Sequence, residues 1–460
     1  MTAPLTALLP TTERALLHRI AAAQSEGRAP SLTGAVARDG QLVWTGERPF
    51  AEGDETGANT QYRIGSITKT FTAVLVMRLR DDGLIDLQDP LDKHLPGTGI
   101  GEVTIAQLLA HSAGLGAETP SPWWERSSAS LRPGLPDVLG EQPRKHPVGR
   151  RFHYSNPGYT VLGSLVEAVR GASWEEVLQR EILEPLALTR TSMDAQAPSA
   201  QGWAVHPWAD VLLPEPAEDL GLMAPAGQLW STATDLCRFG AFLAEGDDRV
   251  LSAASVREMR TPAVPAESGE WDTTYGFGLQ IIRRDGRTLV GHGGSLPGFV
   301  AGLWVGVDDG VTAAVLANAT SGPLPSLVAT DLIQIVAEAE PRLPQTWRPL
   351  PEVDQELLEI TGLWYWGTYA FGLQLLPDRV FALQPLTGPG RQARFTDAED
   401  GTWIGQNGYY AGETLRVVRR TDGSIAHLDL GSFVFTREPY EPDTGIPGGV
   451  DKQGWRGLPS

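Results

Sequence analysis

Cysteine is almost missing from this chain of 460 residues: Cys237 is the only one. No internal disulfide and no cysteine-based zinc site can be built from a single thiol, and such a pattern fits a reducing compartment. The opening residues, "MTAPLTALLPTTERALL", lack the basic segment, apolar stretch and small-residue cleavage site of a secretory leader, so a cytoplasmic location is expected. No window approaches the roughly 20 consecutive apolar residues of a membrane-spanning helix. Positive charge is also scarce. Against 56 Asp and Glu stand 37 Lys and Arg, giving a formal net charge of −19 with no basic cluster, which excludes nucleic acid and anionic membrane as partners. The eight histidines show no His-Glu-x-x-His pairing, so a metallohydrolase is not indicated. The lipase elbow Gly-x-Ser-x-Gly is absent, and "GTGIG" and "GPG" are too short for a dinucleotide or phosphate loop.

What is present reads as a globular chain, with 41% hydrophobic and 20% charged residues and enough length for a large domain plus an appendage. "SLTGAVARDGQLVWTGE" alternates around Asp39-Gly40 and predicts a β-hairpin. After "QYRIG", apolar residues from Phe71 to Leu79 fall at helical spacing and predict a buried helix with Ser66 in its first turn. "EVTIAQLLAHSAGLG" predicts a short helix capped by Thr104. "SNPGYTVLGSLVEAVRGASWEEVL" predicts two more, the first bracketed by Pro157 and Gly171, the second opened by the capping box Ser173-x-x-Glu176. "PAGQLWSTATDLCRFGAFLAEG" reads as a further capped helix, whereas "GAETPSPWWERSSASLRPGLPD" is too rich in Pro, Ser and Gly for regular structure. Between residues 275 and 320, four apolar runs split by Asp285-Gly286, a Gly-rich corner and Asp309-Gly310 predict a strand meander joining the opening hairpin in one sheet. A helix is expected from about Pro325 to Glu338.

Three short stretches carry candidate chemistry. In Ser66-x-x-Lys69 the two residues share a helix face, so the amine can meet the serine hydroxyl. Burial would depress the lysine pKa toward a useful base, and the serine's own N–H at the helix start offers half an oxyanion hole. A cation in a helix's first turn opposes the macrodipole, so capping alone does not explain Lys69. Tyr154-Ser155-Asn156 precedes Pro157 and can aim a phenol and an amide into a cleft. His292-Gly293-Gly294 ends one strand of the meander, where small residues leave the backbone edge open.

In order along the chain, "YRIGSITKTFTAVLVMRL", "TIAQLLAHSAGLG", "FHYSNPGYTVLGSLVEAV", "PAGQLWSTATDLCRFGAFL" and "VGHGGSLPGF" resemble the landmarks of the penicillin-recognising serine hydrolases, a group that includes class C β-lactamases, DD-peptidases, D-aminopeptidases and β-lactamase-like esterases. The resemblance implies an α+β fold, an antiparallel sheet flanked by helices with a helical lobe beside it. It also implies Ser66 as acylated nucleophile, Lys69 as its activating partner, Tyr154 as proton relay, Asn156 as substrate-orienting amide, and His292, Gly294 and Ser295 as the third element, with Ser295 giving the second oxyanion N–H. No metal or cofactor belongs to that chemistry. His292-Gly293-Gly294 lacks the fixed charge and central hydroxyl of the usual Lys-Thr-Gly, so a neutral ester, an amide or a small D-amino-acid derivative fits better than a β-lactam or D-Ala-D-Ala peptide.

The expected organisation is a hydrolase domain over 1–340, a Pro-rich linker over 341–351, a small β-barrel or lipocalin-like domain over 352–438, and a disordered tail over 439–460. Trp123 and Trp124 are expected either to wall an acyl pocket or to anchor their loop, and Trp364, Tyr365 and Trp366 of the β domain to border the active-site mouth. Two rival readings stay open: a catalytically silent ligand-binding protein on the same fold, and a true β-lactamase or DD-carboxypeptidase. The oligomeric state is not legible.

Overall fold

Asp39 and Gly40, with φ of 48° and 74°, make the tight turn that the sequence predicts between β1 (Leu32–Arg38) and β2 (Gln41–Arg48). The structure is a computed structural model that describes residues 7–49, 57–127, 133–264, 272–344, 346–352 and 354–440. It divides into two compact units, Met1–Leu343 and Pro344–Ser460. Most of the tail expected to be disordered, from 441 on, lies outside the described residues, as do 128–132 of the Pro-rich insert.

In the first unit the hairpin joins five strands from late in that unit: β3 (Thr273–Tyr275), β4 (Gln280–Arg284), β5 (Arg287–Leu296), β6 (Phe299–Gly306) and β7 (Val311–Ala317). They form one antiparallel sheet in the order β2-β1-β7-β6-β5-β4-β3. Both faces are covered, so β7 is buried along its whole length and reads as an apolar run interrupted by Thr312 alone rather than an alternation. Ala313, Val315 and Ala317 face the N-terminal helix α1 (Pro10–Glu26) and a late helix, Pro325–Ala339, while Ala314 and Leu316 face the main core.

That core holds the helical lobe, built around α2 (Thr68–Asp81) and α3 (Asn156–Arg170), with α4 (Ala233–Glu245) against the sheet; the helix Pro325–Ala339 is α5. The predicted caps are in place: Thr104 with Gln107 closes a box on Ile105–Leu109, Ser173 with Glu176 on Trp174–Leu178, and Gly171 ends α3 in a left-handed conformation. Two stretches differ from expectation. "PAGQLWSTATDL" is not one helix, because Trp230–Ser231 extends to pair with Tyr62–Arg63 before Thr232 caps α4. Within the Pro-rich insert, Leu135–Leu139 is helical, with Pro136 in its first turn and the Asp137 carboxylate accepting from the Gly134 N–H. Cys237 is buried on α4, where burial pushes its thiol up to about 12.

The second unit opens with a short helix, Gln355–Ile360, and continues as an eight-stranded antiparallel meander from Gly362–Trp366 to Phe433–Phe435. Tyr365 and Thr436 exchange N–H···O bonds of 2.7 and 2.9 Å, so the first strand meets the end of the last and the sheet closes on itself. Trp364, Phe371, Phe381, Phe395 and Phe435 fill the interior. This is a small all-β barrel, closed through the Tyr365–Thr436 pair. Among the described residues no helix is long and apolar enough to cross a membrane.

Candidate active site

Pairing of Tyr62–Arg63 with Trp230–Ser231 lays the start of α2 beside the Ala224–Gly227 turn. Between strand and helix the chain makes one 3₁₀ turn, Gly65–Ile67, with Gly65 at φ 51°. Ser66 therefore sits in a 3₁₀ turn just before α2 and is half-buried. Lys69 follows on the first turn of α2 and is wholly buried. Its amine donates to Ser66 Oγ at 3.1 Å and to the Ala226 carbonyl at 2.7 Å, and no carboxylate pairs with it among the described residues. Burial brings its pKa down to about 7, against an upward pull from Glu118 and Glu125.

The Tyr154–Asn156 stretch is held from behind by the "HSAGLGA" segment. The N–H of Ser155 donates to His111 Nδ1 at 3.0 Å, Ser155 Oγ donates to the Gly116 carbonyl at 2.7 Å, and the Asn156 N–H donates to the Ala117 carbonyl at 2.9 Å. Ser155 Oγ also accepts from Gly158, capping α3. Thus fixed, Tyr154 lies with its ring 5.0 Å from the Lys69 amine and its hydroxyl interacting with Ser66. Burial raises the Tyr154 pKa well above the usual phenol range, so the residue stays protonated. Asn156 Nδ2 donates to Glu118 Oε1 at 2.8 Å.

Strand β5 completes the cluster. Leu296 pairs with Phe299 around a two-residue turn, which makes theirs a hydrogen-bonded pair and the next, Ser295 with Val300, a non-hydrogen-bonded one. The N–H of Ser295 consequently points away from β6, toward the side where β4 has already ended opposite Gly291. Gly65 fills that side: a β-carbon on it would lie 2.6 Å from Ser295 N. Gly294 is pressed against the same turn, and a β-carbon there would fall 1.9 Å from the Ile64 carbonyl oxygen and 3.3 Å from Ser66 N. Close approach of protein backbone, rather than of a ligand, is what demands glycine at 294. The backbone nitrogens of Ser66 and Ser295 are thereby brought side by side.

His292 is buried behind this edge. A carbonyl only accepts, so the 2.5 Å contact of Nδ1 with Gly293 O places the ring proton on Nδ1, and Nε2 accepts from the Tyr275 hydroxyl at 3.1 Å. Burial takes the His292 pKa down to about 4, leaving a neutral imidazole at physiological pH. Ser66, Lys69, Tyr154, Asn156, Gly294 and Ser295 are brought together; His292 stands one layer deeper.

Sequence reading missed Glu118, which sits in "GAETP" directly after the "HSAGLG" landmark, and the Ala226 carbonyl, which has no side-chain signature. Trp124 Nε1 donates to Glu118 Oε2 at 2.8 Å. The far edge of its ring approaches Gly227 beside the serine turn, and Trp124 with Pro120, Val138, Leu220 and Met223 lines a cavity of about 380 Å³. Trp123 is exposed, its indole N–H on Glu125.

Residues 16–338 match the family described as Beta-lactamase. The chain belongs to the β-lactamase family. Residues 353–437 match a second family, described as Domain of unknown function (DUF7586). Penicillin-binding protein 4 of Amycolatopsis lactamdurans is 29% identical over 358 residues, 73% of this chain and 92% of that protein. "Beta-lactamase-like protein 2" of Dictyostelium discoideum is 30% identical over 236 residues, 48% of this chain, which spans only 42% of that protein's length. Among solved structures, a D-stereospecific amidohydrolase from Streptomyces sp. superposes with a TM-score of 0.58 at 27% identity, covering 71% of this chain and 98% of that one. The family thus holds penicillin-binding proteins and amide hydrolases, and its fold is the antiparallel sheet with helices described above.

Proposed function

We propose that the protein is a serine hydrolase that works through an acyl-enzyme on small esters or amides, amides of D-amino acids among them. The observation that carries this reading is the wholly buried Lys69 amine, 3.1 Å from Ser66 Oγ and without a carboxylate partner among the described residues. With a pKa near 7, a large fraction of Lys69 is neutral at physiological pH, and one of its N–H bonds is committed to Ala226. The nitrogen lone pair is then free to take the Ser66 proton as Oγ attacks a carbonyl carbon. Negative charge develops on the carbonyl oxygen between the N–H groups of Ser66 and Ser295. Tyr154, kept as a phenol by burial, delivers a proton to the leaving amine or alcohol and recovers one from the water that frees the acyl group, while Lys69 hands its proton back to the departing Ser66 Oγ. Asn156 orients the substrate beside the nucleophile.

A neutral His292 offers no cation to a substrate carboxylate, which favours neutral esters and amides over β-lactams and DD-peptides. Kinship with the Streptomyces amidohydrolase supports the amide reading. The test is intact-protein and peptide mass spectrometry after a fluorophosphonate probe, with rates on short-chain nitrophenyl esters, D-aminoacyl anilides and nitrocefin. An adduct on Ser66 with turnover of esters or anilides is expected; no adduct, or an adduct elsewhere, rejects this nucleophile.

A further inference from the structure

Two hydrogen bonds to a single residue bracket Tyr154. The N–H of His153, just before it, donates to the His111 carbonyl at 2.8 Å, and the N–H of Ser155, just after it, donates to His111 Nδ1 at 3.0 Å. The imidazole also lies against the phenol ring, 4.3 Å between centroids and tilted by 35°. Backbone and side chain of His111 thus hold the chain on both sides of Tyr154, and its ring besides.

The local chemistry of His111 suits that task. A backbone N–H only donates, so Nδ1 is the bare nitrogen, the ring proton sits on Nε2, and the imidazole is neutral. Burial keeps it so, taking the His111 pKa well below its ordinary value. The bond from Ser155 is the only one the ring makes among the described residues: Nε2 is buried without a partner, and the rings of Tyr159 and Tyr275 stand 4.9 and 4.8 Å away. The backbone is equally particular, with φ of 55°, a left-handed conformation that few residues besides Gly, Asn, Asp and His adopt. Its neighbour Ser112 is tied at both ends, N–H to the Gln107 carbonyl and carbonyl to the Gly149 N–H, each at 2.8 Å.

Resting on the serine-hydrolase reading above, we propose that His111 is a positioning residue that acts through Tyr154, setting the phenol within reach of Ser66 Oγ and of the leaving group. His111 is only 2% exposed, so it works from behind the tyrosine and not on the substrate. A displacement of about 1 Å in such a proton donor costs on the order of 10²-fold in rate.

The test compares His111→Leu, which removes the acceptor, with His111→Asn, which keeps an acceptor at the same point of the side chain and tolerates a positive φ. Rates are read on an ethyl ester or D-aminoacyl anilide, whose leaving group must be protonated as it departs, and on p-nitrophenyl acetate, whose phenolate needs no proton. Fluorophosphonate labelling of Ser66 and unfolding midpoints are measured alongside. His111→Leu is expected to lose about 10²-fold in kcat/KM on the first kind of substrate and under about threefold on the second, with His111→Asn recovering most of the loss. In a Tyr154→Phe background, where the phenol is already gone, the same His111→Leu change should cost under about twofold. An equal loss in both backgrounds, or on both kinds of substrate, overturns the proposal, since general damage to the site would give that result. So does a His111→Asn variant that unfolds like the wild type yet falls as low as His111→Leu. Should the leucine variant fail to fold, imidazole ¹⁵N spectra of the wild type still decide, with the His111 signals assigned by their loss in His111→Asn: an Nε2–H tautomer is expected, and an Nδ1–H tautomer or a cation at pH 7 rules out the bond from Ser155. If Ser66 labels and the acetate ester turns over while these readouts fail, His111 is wrong and the hydrolase stands. If the wild type neither labels nor turns over any ester, both readings fall together.

Discussion

The Lys69 amine lies closer to the Ala226 carbonyl, at 2.7 Å, than to Ser66 Oγ, at 3.1 Å. One proton is thus pinned to the backbone while the nitrogen stays in reach of the hydroxyl, an arrangement that suits a base only when the amine is neutral. kcat/KM is therefore expected to climb with pH through a single limb centred near 7, the Lys69 pKa. His292, already neutral above about 4, adds no limb in that range. Lys69→Arg, which cannot lose its charge, should lose on the order of 10³-fold in activity. A profile flat from pH 5 to 9 counts against Lys69 as the base.

The same depressed pKa makes a stability forecast. Between about 7 and the ordinary lysine value of 10.5 the unfolded chain binds a proton that the folded chain does not, so this residue makes stability rise with pH across that window. Lys69→Met should remove the slope. Denaturant titrations of both proteins at pH 7 and 9.5 would show it as a smaller gain for the variant.

Ser66→Ala and Tyr154→Phe should part company. The first removes the acylated atom and is expected to abolish both labelling and turnover without changing the unfolding midpoint appreciably, since Ser66 is only half-buried. The second keeps the nucleophile but removes the proton shuttle, with a loss of about 10²- to 10⁴-fold. Burst kinetics with a good leaving group should reveal acyl-enzyme accumulating in Tyr154→Phe; its absence would point to a different proton path.

Adjacent glycines on β5 should respond differently. Gly294→Ala puts a β-carbon 1.9 Å from the Ile64 carbonyl oxygen, so the serine turn must move, at about 1–3 kcal/mol in stability and on the order of 10²-fold in rate. In Gly293→Ala the one tight contact is with the Ser326 hydroxyl, at 2.8 Å, which can swing aside, the Ala301 carbonyl oxygen lying at an ordinary 3.9 Å. Equal losses in the two variants would mean that contact with Ile64 is not what fixes the turn.

In the barrel, Trp364 is fully buried, its indole N–H on the Ile360 carbonyl at 2.8 Å and the Arg437 guanidinium 3.9 Å from its ring. Trp364→Ala should cost that unit about 3–5 kcal/mol. Calorimetry of the full chain is expected to show one transition lowered and the other unmoved; a common shift of both would mean the two units unfold as one.

Much of this was legible because its causes are local. The Thr104 and Ser173 boxes, the Pro157 and Gly171 brackets and the Asp39-Gly40 turn each depend on residues a few positions apart, and the apolar periods of α2 and β7 mark surfaces that any fold must bury. Residues 66, 69, 154 and 156 stood out by chemistry and by family resemblance. What stayed hidden depends on segments distant in sequence. Nothing in "PAGQLW" announces that the Ala226 carbonyl will hold a lysine 157 residues away. Gly294 could be read as room for a ligand until the Ile64 turn was seen to occupy that room. Glu118 resembled any loop acid until Asn156 and Trp124 were found on its two oxygens.

Finally, Cys237 is buried and burial pushes its thiol pKa up to about 12, so it is expected to stay unreactive toward maleimides and other thiolate-seeking reagents at neutral pH. A cysteine introduced at an exposed position such as Trp208 or Tyr409 would be the sole reactive one, so spin labels or fluorophores can be attached singly without first stripping the native sequence. Paired probes, one in each unit, would then report distances between them in solution.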